Sequence, residues 1–321
     1  MTRLPAFDSV RSLDDLDVAI VDALLEDGRR PARHIARALT VSESTVRQRL
    51  DRLLADGVVR ITAWVEGGTL DRPVAAYCFV RVRGDAMAAA RVLADFDEVD
   101  WIIVSTDATT IVCSAAVRDH PGLLAFVNER VRPIAGVETV HSGVRIRVWP
   151  TLFRYGVPAL GDIAATAEPP TTERAVDDID KTILRALIDN GRTSLTRLAE
   201  LTGLSLAATR QRYVRLVDDH LVRIECLVDV THFGLARTAS VMVDVDRDSG
   251  EVAVAMAEDP DVAFVMELAG VCNILVDVIC RDDQHLAECV SRLRALPGVQ
   301  QATLIPVLAM LKRRVHWHTV T

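Results

Sequence analysis

Apolar residues recur at helical spacing near the start of the chain and give way to alternation further on. In DDLDVAIVDALLEDG they fall at 16, 20, 23 and 24, and a glycine follows at 28, which predicts a helix with its stop. PARHIARAL predicts a second helix, with Pro31 at a first-turn position. After a three-residue break, Ser42 is placed as the N-cap of ESTVRQRLDRLLADG, which stops at Gly57. Val46, Leu50, Leu53 and Leu54 form one stripe of that third helix. Beyond it the period falls to two. Strands are predicted over 60–65, 74–83, 99–105, 110–117 and 137–148, with helices over 86–96 and 120–131.

The chain then repeats itself. TVRQRLDRL, from Thr45 to Leu53, returns 163 residues later as ATRQRYVRL, from Ala208 to Leu216. A gapless shift of 163 aligns Asp14–Val65 with Asp177–Val228, with 20 of 52 positions identical. Gly28-Arg29 matches Gly191-Arg192, and Val59-Arg60-Ile61 matches Val222-Arg223-Ile224. The weaker match that follows predicts strands over 223–230, 238–245, 262–268, 274–279 and 299–309, and helices over 251–258 and 284–294. A period near half the 321 residues signals duplication of a whole unit; a solenoid would show several shorter repeats. GVPALGDIAATAEPPTTERA, between the copies, reads as a linker.

In each unit a short helix, a tight turn and a basic second helix on a helical platform describe a helix-turn-helix. The order βαββαβ that follows is the ferredoxin-like split arrangement, an antiparallel sheet with helices on one face and a second face to cover. The fold class is therefore α+β: two winged-helix-like helix-turn-helix domains alternating with two ferredoxin-like βαββαβ domains whose sheets are free to pair in oligomerisation. The expected boundaries are 13–66 and 72–150, a linker at 151–175, then 176–230 and 236–315.

Charge changes the picture. A net charge of −8 speaks against nucleic acid, but its distribution does not. Eight arginines between Arg29 and Arg60 face only Glu43, Asp51 and Asp56; six between Arg192 and Arg223 face Glu200, Asp218 and Asp219. Two basic islands on an acidic body can grip phosphate locally. Arg and Gln can bond base edges bidentately, and a Ser/Thr turn at a helix N-terminus can meet phosphate. The expected DNA-binding residues are Ser42, Ser44, Thr45, Arg47, Gln48 and Arg52, and in the second copy Ser205, Ala208, Arg210, Gln211 and Arg215. Arg49 and Arg212 border the buried stripe, so internal packing or pairing is expected there ahead of base contact.

LDDLDVAIVDALLEDGR, RHIARALTVSESTVRQRLDRLLADGVV and DDIDKTILRALIDNGRTSLTRLAELTGLS resemble the Lrp/AsnC family of feast/famine transcription regulators. The resemblance covers the chain apart from the first dozen residues and the linker. It implies double-stranded DNA as partner, a small-molecule effector such as an amino acid, and pairing through the βαββαβ sheets. That pairing would give a homo-oligomer or an intrachain pseudo-dimer. It also implies a Gly-x-x-Asp-type hairpin that helps to hold the effector. The second copy reads AGVCN there, so Gly270 and Asn273 are its candidate effector residues. The first copy reads TDATT, with Asp107 at the glycine position and Thr110 at the acidic one. At the helix-turn-helix break Gly203 of the second copy aligns with Thr40 of the first, so a strained first turn or a slightly different inter-helix angle is expected, with unequal DNA affinity of the two heads.

Other chemistry finds little footing. Sirohaem decarboxylase subunits resemble the same architecture, but VDWIIVSTDATTIVCSAA and VAFVMELAGVCNILVDV hold no histidine for acid–base work. No P-loop, G-x-S-x-G or G-x-G-x-x-G appears, and the expectation is a protein that is not an enzyme and carries no cofactor or metal. His316 and His318 flank Trp317, where surface imidazoles on a terminal strand are a better reading than a metal pair. Six cysteines without a C-x-x-C pair fit a reducing compartment. With no secretory pattern and no spanning segment, a cytoplasmic protein without membrane contact is expected. The competing reading is a metabolite sensor or scaffold whose heads do not bind DNA.

Overall fold

The computed structural model describes residues 13–65, 70–149 and 176–313. The proposed linker and the His316/His318 pair lie outside them. Three helices open the chain: α1 (Asp15–Glu26), α2 (Ala32–Leu39) and α3 (Glu43–Ala55), followed by strand β1 (Val59–Val65). Asp14 caps α1 by accepting from Asp17 N, and the Asp17 carboxylate answers to the Asp14 amide, a reciprocal capping box. The helix stops at Glu26 with Asp27 as its cap, two residues before the predicted glycine. Pro31 is the N-cap of α2 and not a residue of its first turn.

Next come β2 (Val74–Val82), α4 (Ala86–Ala94), β3 (Val99–Ser105), β4 (Thr110–Val117), α5 (His120–Ala125) and β5 (Val137–Trp149). The predicted helix over 120–131 is divided: α5 passes into a π-helical turn, Phe126–Val131. The second copy repeats the order with α6 (Asp178–Asp189), α7 (Leu195–Thr202), α8 (Leu206–Asp218) and β6 (Val222–Val228). It continues with β7 (Arg237–Val245), α9 (Ser249–Ala257), β8 (Val262–Ala269), β9 (Ile274–Cys280), α10 (Asp283–Arg294) and β10 (Val299–Arg313).

The two sheets close on each other within one chain. Their strands run β10-β3-β4-β2-β5-β8-β9-β7 around a barrel whose seams are β5–β8 and β10–β3. Each half keeps the ferredoxin-like strand order, and closure removes both sheet edges. Helices α4 and α5 cover the outside of one half over Cys78, Val80, Ile102 and Cys113; α9 and α10 cover the other over Val241, Val265 and Val276. The barrel interior holds Phe79, Ile103, Met266 and Leu275.

The heads are joined differently from the expectation. Among the described residues neither carries a hairpin wing of its own; β1 and β6 pair antiparallel as a two-stranded ribbon between them. Each head borrows the other's strand. Cys226 and Val228 of β6 complete the core under α1 and α3, while Ala63 and Val65 of β1 complete the core under α6 and α8.

Candidate DNA-reading heads and effector hairpins

Ser42 fixes the start of α3: its hydroxyl accepts from Thr45 N at 3.1 Å and lies 2.7–2.8 Å from the hydroxyls of Thr45 and Ser44. Val46, Leu50 and Leu53 are buried, which turns Ser44, Arg47, Gln48 and Arg52 outward. Leu54, expected in the stripe, is exposed at its edge. Arg47 lies along the helix, donating from Nε and Nη2 to Glu43 Oε1 at 3.0 and 2.5 Å. In α8, Ser205 accepts from Ala208 N at 3.3 Å, and Thr209 and Leu216 take the buried positions. Arg210, Gln211 and Arg215 line an exposed groove together with Leu206, Ala207 and Val214. Ala208 is half-buried at the first turn.

The two outward faces differ in kind. Where α3 shows Glu43, Ser44 and Asp51, α8 shows Leu206, Ala207 and Val214. Polar and acidic groups flank the first Arg-Gln pair, and apolar ones flank the second.

The second arginine of each R-Q-R points inward. Arg49 Nη1 donates to Asp14 and, at 3.0 Å, to Asp17 Oδ1; Arg212 Nη1 donates to Asp177 at 2.7 Å and to Asp180 at 2.9 Å. Asp17 and Asp180 are buried at 2% and 0% exposure, so these arginines answer buried carboxylates and tie the recognition helix to the first helix. The Arg49 guanidinium, helped by the Asp17 amide, holds the Asp14 carboxyl below its ordinary range. The Asp180 amide and then Arg212 do the same for Asp177. Arg52 shares Asp17, donating from Nη2 to Oδ2 at 2.5 Å, while its side chain stays 42% exposed.

Four residues that sequence reasoning passed over build the junction between the heads. Gly191 N donates to Ile61 O at 2.9 Å, and a Cβ at Gly191 would lie 3.0 Å from Ile61, Thr62 and Ile224. Gly28 sits the same way, 3.2 Å from the Ile61 and Ile224 methyls. Arg192 donates to Gly28 O at 2.8 Å, and Arg29 donates to Thr193 O at 2.9 Å while lying 5.0 Å over the Tyr213 ring. Their signal was available: Gly-Arg stands at the same place in both copies.

The effector hairpins also diverge. Gly270 has φ +141°, and a Cβ there would meet Ser142 O of β5 at 2.5 Å. This glycine is required by the close approach of the first copy's backbone. Asn273 is engaged with the neighbouring strand: its side-chain Oδ1 accepts from Val245 N at 3.0 Å, and its backbone N–H donates to Val243 O at 3.1 Å. In the first copy the left-handed residue is Ala108 (φ 53°), one position after Asp107. Asp107 accepts from Thr109 N and Thr110 N at 2.8 and 2.9 Å and from the Thr110 hydroxyl at 2.7 Å. Burial works to raise the Asp107 pKa, but these hydrogen bonds prevail and lower it.

Among the described residues no helix is long and apolar enough to cross a membrane. The AsnC-type helix-turn-helix domain matches this chain twice, at residues 13–54 and 176–217, and the Lrp/AsnC ligand binding domain matches residues 238–317. An uncharacterised HTH-type transcriptional regulator of Pyrococcus horikoshii is 34% identical over 139 residues, which is 41% of this chain and 85% of that one. The Bkd operon transcriptional regulator of Pseudomonas aeruginosa is 30% identical over 130 residues, 39% of this chain and 85% of its own. These relatives are one unit long. Over the full length the fold is similar to the siroheme decarboxylase NirDL, with TM-score 0.63, 14% identity and 94% of each chain covered. At that identity the likeness concerns the fold alone. By its two helix-turn-helix matches, its ligand-binding match and its relatives, the chain belongs to the Lrp/AsnC family of transcription regulators.

Proposed function

We propose that one chain of this regulator reads one operator with both heads, residues 13–66 and 176–230, and that residues 72–150 and 236–315 form its effector half. The observation that carries this reading is the register of the β1–β6 ribbon. Val59 pairs with Val228 and Val65 with Val222, so the ribbon is centred on an approximate two-fold axis. Two readers related in that way suit a palindrome-like site with half-sites roughly 34–36 Å apart, one helical turn of DNA. Because their outward faces differ, the half-sites differ too. Ser42, Ser44 and Thr45, with Ser205 and Ala208, lie at the phosphate-facing first turns. Arg47, Gln48, Arg52, Arg210, Gln211 and Arg215 supply base and backbone contacts.

In the effector half the hairpin of Gly270 and Asn273 lies against β5 of the first copy, and a small molecule bound along that seam would act on both copies at once. We read the protein as a cytoplasmic non-enzyme despite its fold likeness. Neither middle hairpin, 99–117 nor 262–280, contains a histidine to supply acid–base chemistry.

The test is binding of the purified chain to fragments of its own upstream region across a salt series, with Arg47→Ala/Gln48→Ala and Arg210→Ala/Gln211→Ala variants alongside. Saturable binding that weakens linearly in log salt and is lost in both variants supports two working readers. Loss in one variant alone marks the other head as a scaffold. Absence of sequence preference at every salt concentration overturns the regulator reading for this chain.

A further inference from the structure

The two sheets of this chain are already paired with each other, and the closed barrel leaves them no free edge through which a second chain could join. The outward face of α8 offers another surface. At the period of the repeat, Glu43, Ser44 and Asp51 of α3 become Leu206, Ala207 and Val214. Leu206 is 53% exposed, Val214 44% and Val217 38%. Apolar side chains held in water where the first copy keeps polar ones mark a face that gains by being covered. The charges on the same face are also without partners. Among the described residues the side chains of Arg210, Arg215 and Asp218 make no ion pair or hydrogen bond, whereas in the first head Arg47 is tied to Glu43 and Arg52 to Asp17.

The order of these residues is self-complementary. Leu206, Arg210, Val214 and Asp218 stand four residues apart and form one ridge of α8. Arg210 comes one turn before Val214 and Asp218 one turn after it. If the ridge is turned end for end on a copy of itself about Val214, valine meets valine and each Arg210 lies opposite the copy's Asp218. At a rise of 1.5 Å per residue the charged positions stand about 6 Å along the axis on either side of the centre. Helices packed by such ridges have axes roughly 8–10 Å apart, a gap that an arginine side chain spans. The antiparallel sense also sets the N-terminus of each helix beside the C-terminus of the other, as their dipoles favour. The first head has no such face: the same operation on α3 sets Asp51 against Asp51 and leaves Arg47 opposite Ala55.

We infer that two copies of this chain associate through the outward faces of α8, antiparallel about Val214, with Arg210 of each on Asp218 of the other. The contact is isologous and uses one face per chain, so it closes at a dimer. A single helix face is a small interface of the weak, transient class, so chain concentration governs the association. Arg210 and Gln211 lie within the contact, and a second head paired in this way is closed to DNA.

The test is sedimentation equilibrium of the full chain, without DNA, from about 1 μM to about 500 μM. The expected result is a reversible equilibrium between one chain and two, with a Kd on the order of 10–100 μM. Arg210→Asp alone, or Asp218→Arg alone, sets like charges opposite each other at both ends of the contact and weakens association about tenfold or more. The double exchange Arg210→Asp/Asp218→Arg restores the pairs and returns the Kd to within about threefold of wild type. Both positions are exposed, so each variant keeps the wild-type Tm. Three results would overturn the inference: a single-chain mass at every concentration, association that the single exchanges leave untouched, or a folded double exchange that does not regain it. Upstream duplex whose binding is lost in Arg210→Ala/Gln211→Ala should dissolve the pair, and a two-chain particle that keeps such a duplex on each second head would also overturn the geometry. Because association is measured without DNA, loss of operator binding with the pair intact counts against the regulator reading alone.

Discussion

Thr62 faces Glu225 across the ribbon that joins the heads, and the two positions are 163 residues apart, the period of the internal repeat. Each is the other's counterpart, so the ribbon's local axis passes between them. This is the isologous geometry of a two-fold dimer, written within one chain. Arg29 and Arg192, also counterparts, reach across it in both directions. Replacing Arg192 by Ala removes donors to Gly28 O and Arg30 O and should cost about 1–2 kcal/mol in urea unfolding, toward the lower end because the side chain is only half-buried. The Arg29→Ala/Arg192→Ala pair should also tolerate a wider range of half-site spacings than wild type. Unchanged spacing preference would show that the ribbon alone sets the distance between the heads.

The glycines at this junction make a sharper test. At Gly191 a Cβ would stand 3.0 Å from two isoleucine methyls and a backbone carbon, whereas at Gly28 the same contacts are 3.2–3.3 Å. Ala at 191 should therefore destabilise by about 1–3 kcal/mol, and Ala at 28 by less. Equilibrium denaturation of the two variants ranks them, and the reverse order would mean that the first head yields less readily than the second.

Much of this molecule is legible in its sequence, and what escaped has a physical reason. The 3.6-residue stripe Val46–Leu50–Leu53 and the period-two runs identify local elements because burial on one face is a local constraint. Strands 99–105 and 110–117 fall where alternation puts them. Which sheet edge meets which is not a local property: alternation marks the inner face of β5 but says nothing of β8. The same limit hid the junction. Gly28 and Gly191 look like helix stops, yet the helices end two residues earlier, at Glu26 and Asp189, and the glycines serve contacts 33 to 197 residues away in sequence. Arg145 is buried, yet GVRIRVW alone gives no sign that the first of its two arginines faces inward.

The inward arginines should make the heads acid-sensitive. Asp14 and Asp177 titrate below their ordinary value of 3.8 in the folded chain. A depressed folded pKa contributes stability that is present above the unfolded value and lost as pH falls through the folded one. Arg49→Gln and Arg212→Gln should therefore lower the Tm near neutrality, and the gap to wild type should close as the pH drops through and below 3.8. A gap that holds constant from pH 7 into the acid limb would mean that the arginines act by packing and not by charge.

The turn between the second and third helices offers a reciprocal exchange. Thr40 ends α2 at φ 56° and ψ 40°, and Gly203 ends α7 at φ 68° and ψ 14°, both left-handed. An L-residue pays roughly 1–2 kcal/mol there, most of all when branched at Cβ, and glycine escapes that cost at some loss of chain entropy. Nothing lies within 4 Å of a Cβ built on Gly203, so the effect of a side chain there comes through the backbone alone. Thr40→Gly should stabilise the first head, and Gly203→Thr should destabilise the second, each by about 1 kcal/mol. Because the turn sets the angle at which the recognition helix is presented, the same exchange should move the affinities of the two heads for their half-sites in opposite senses. Thermal unfolding paired with binding to each isolated half-site would check both effects, and a fall in Tm on Thr40→Gly would show that the threonine side chain contributes more than its backbone strain removes.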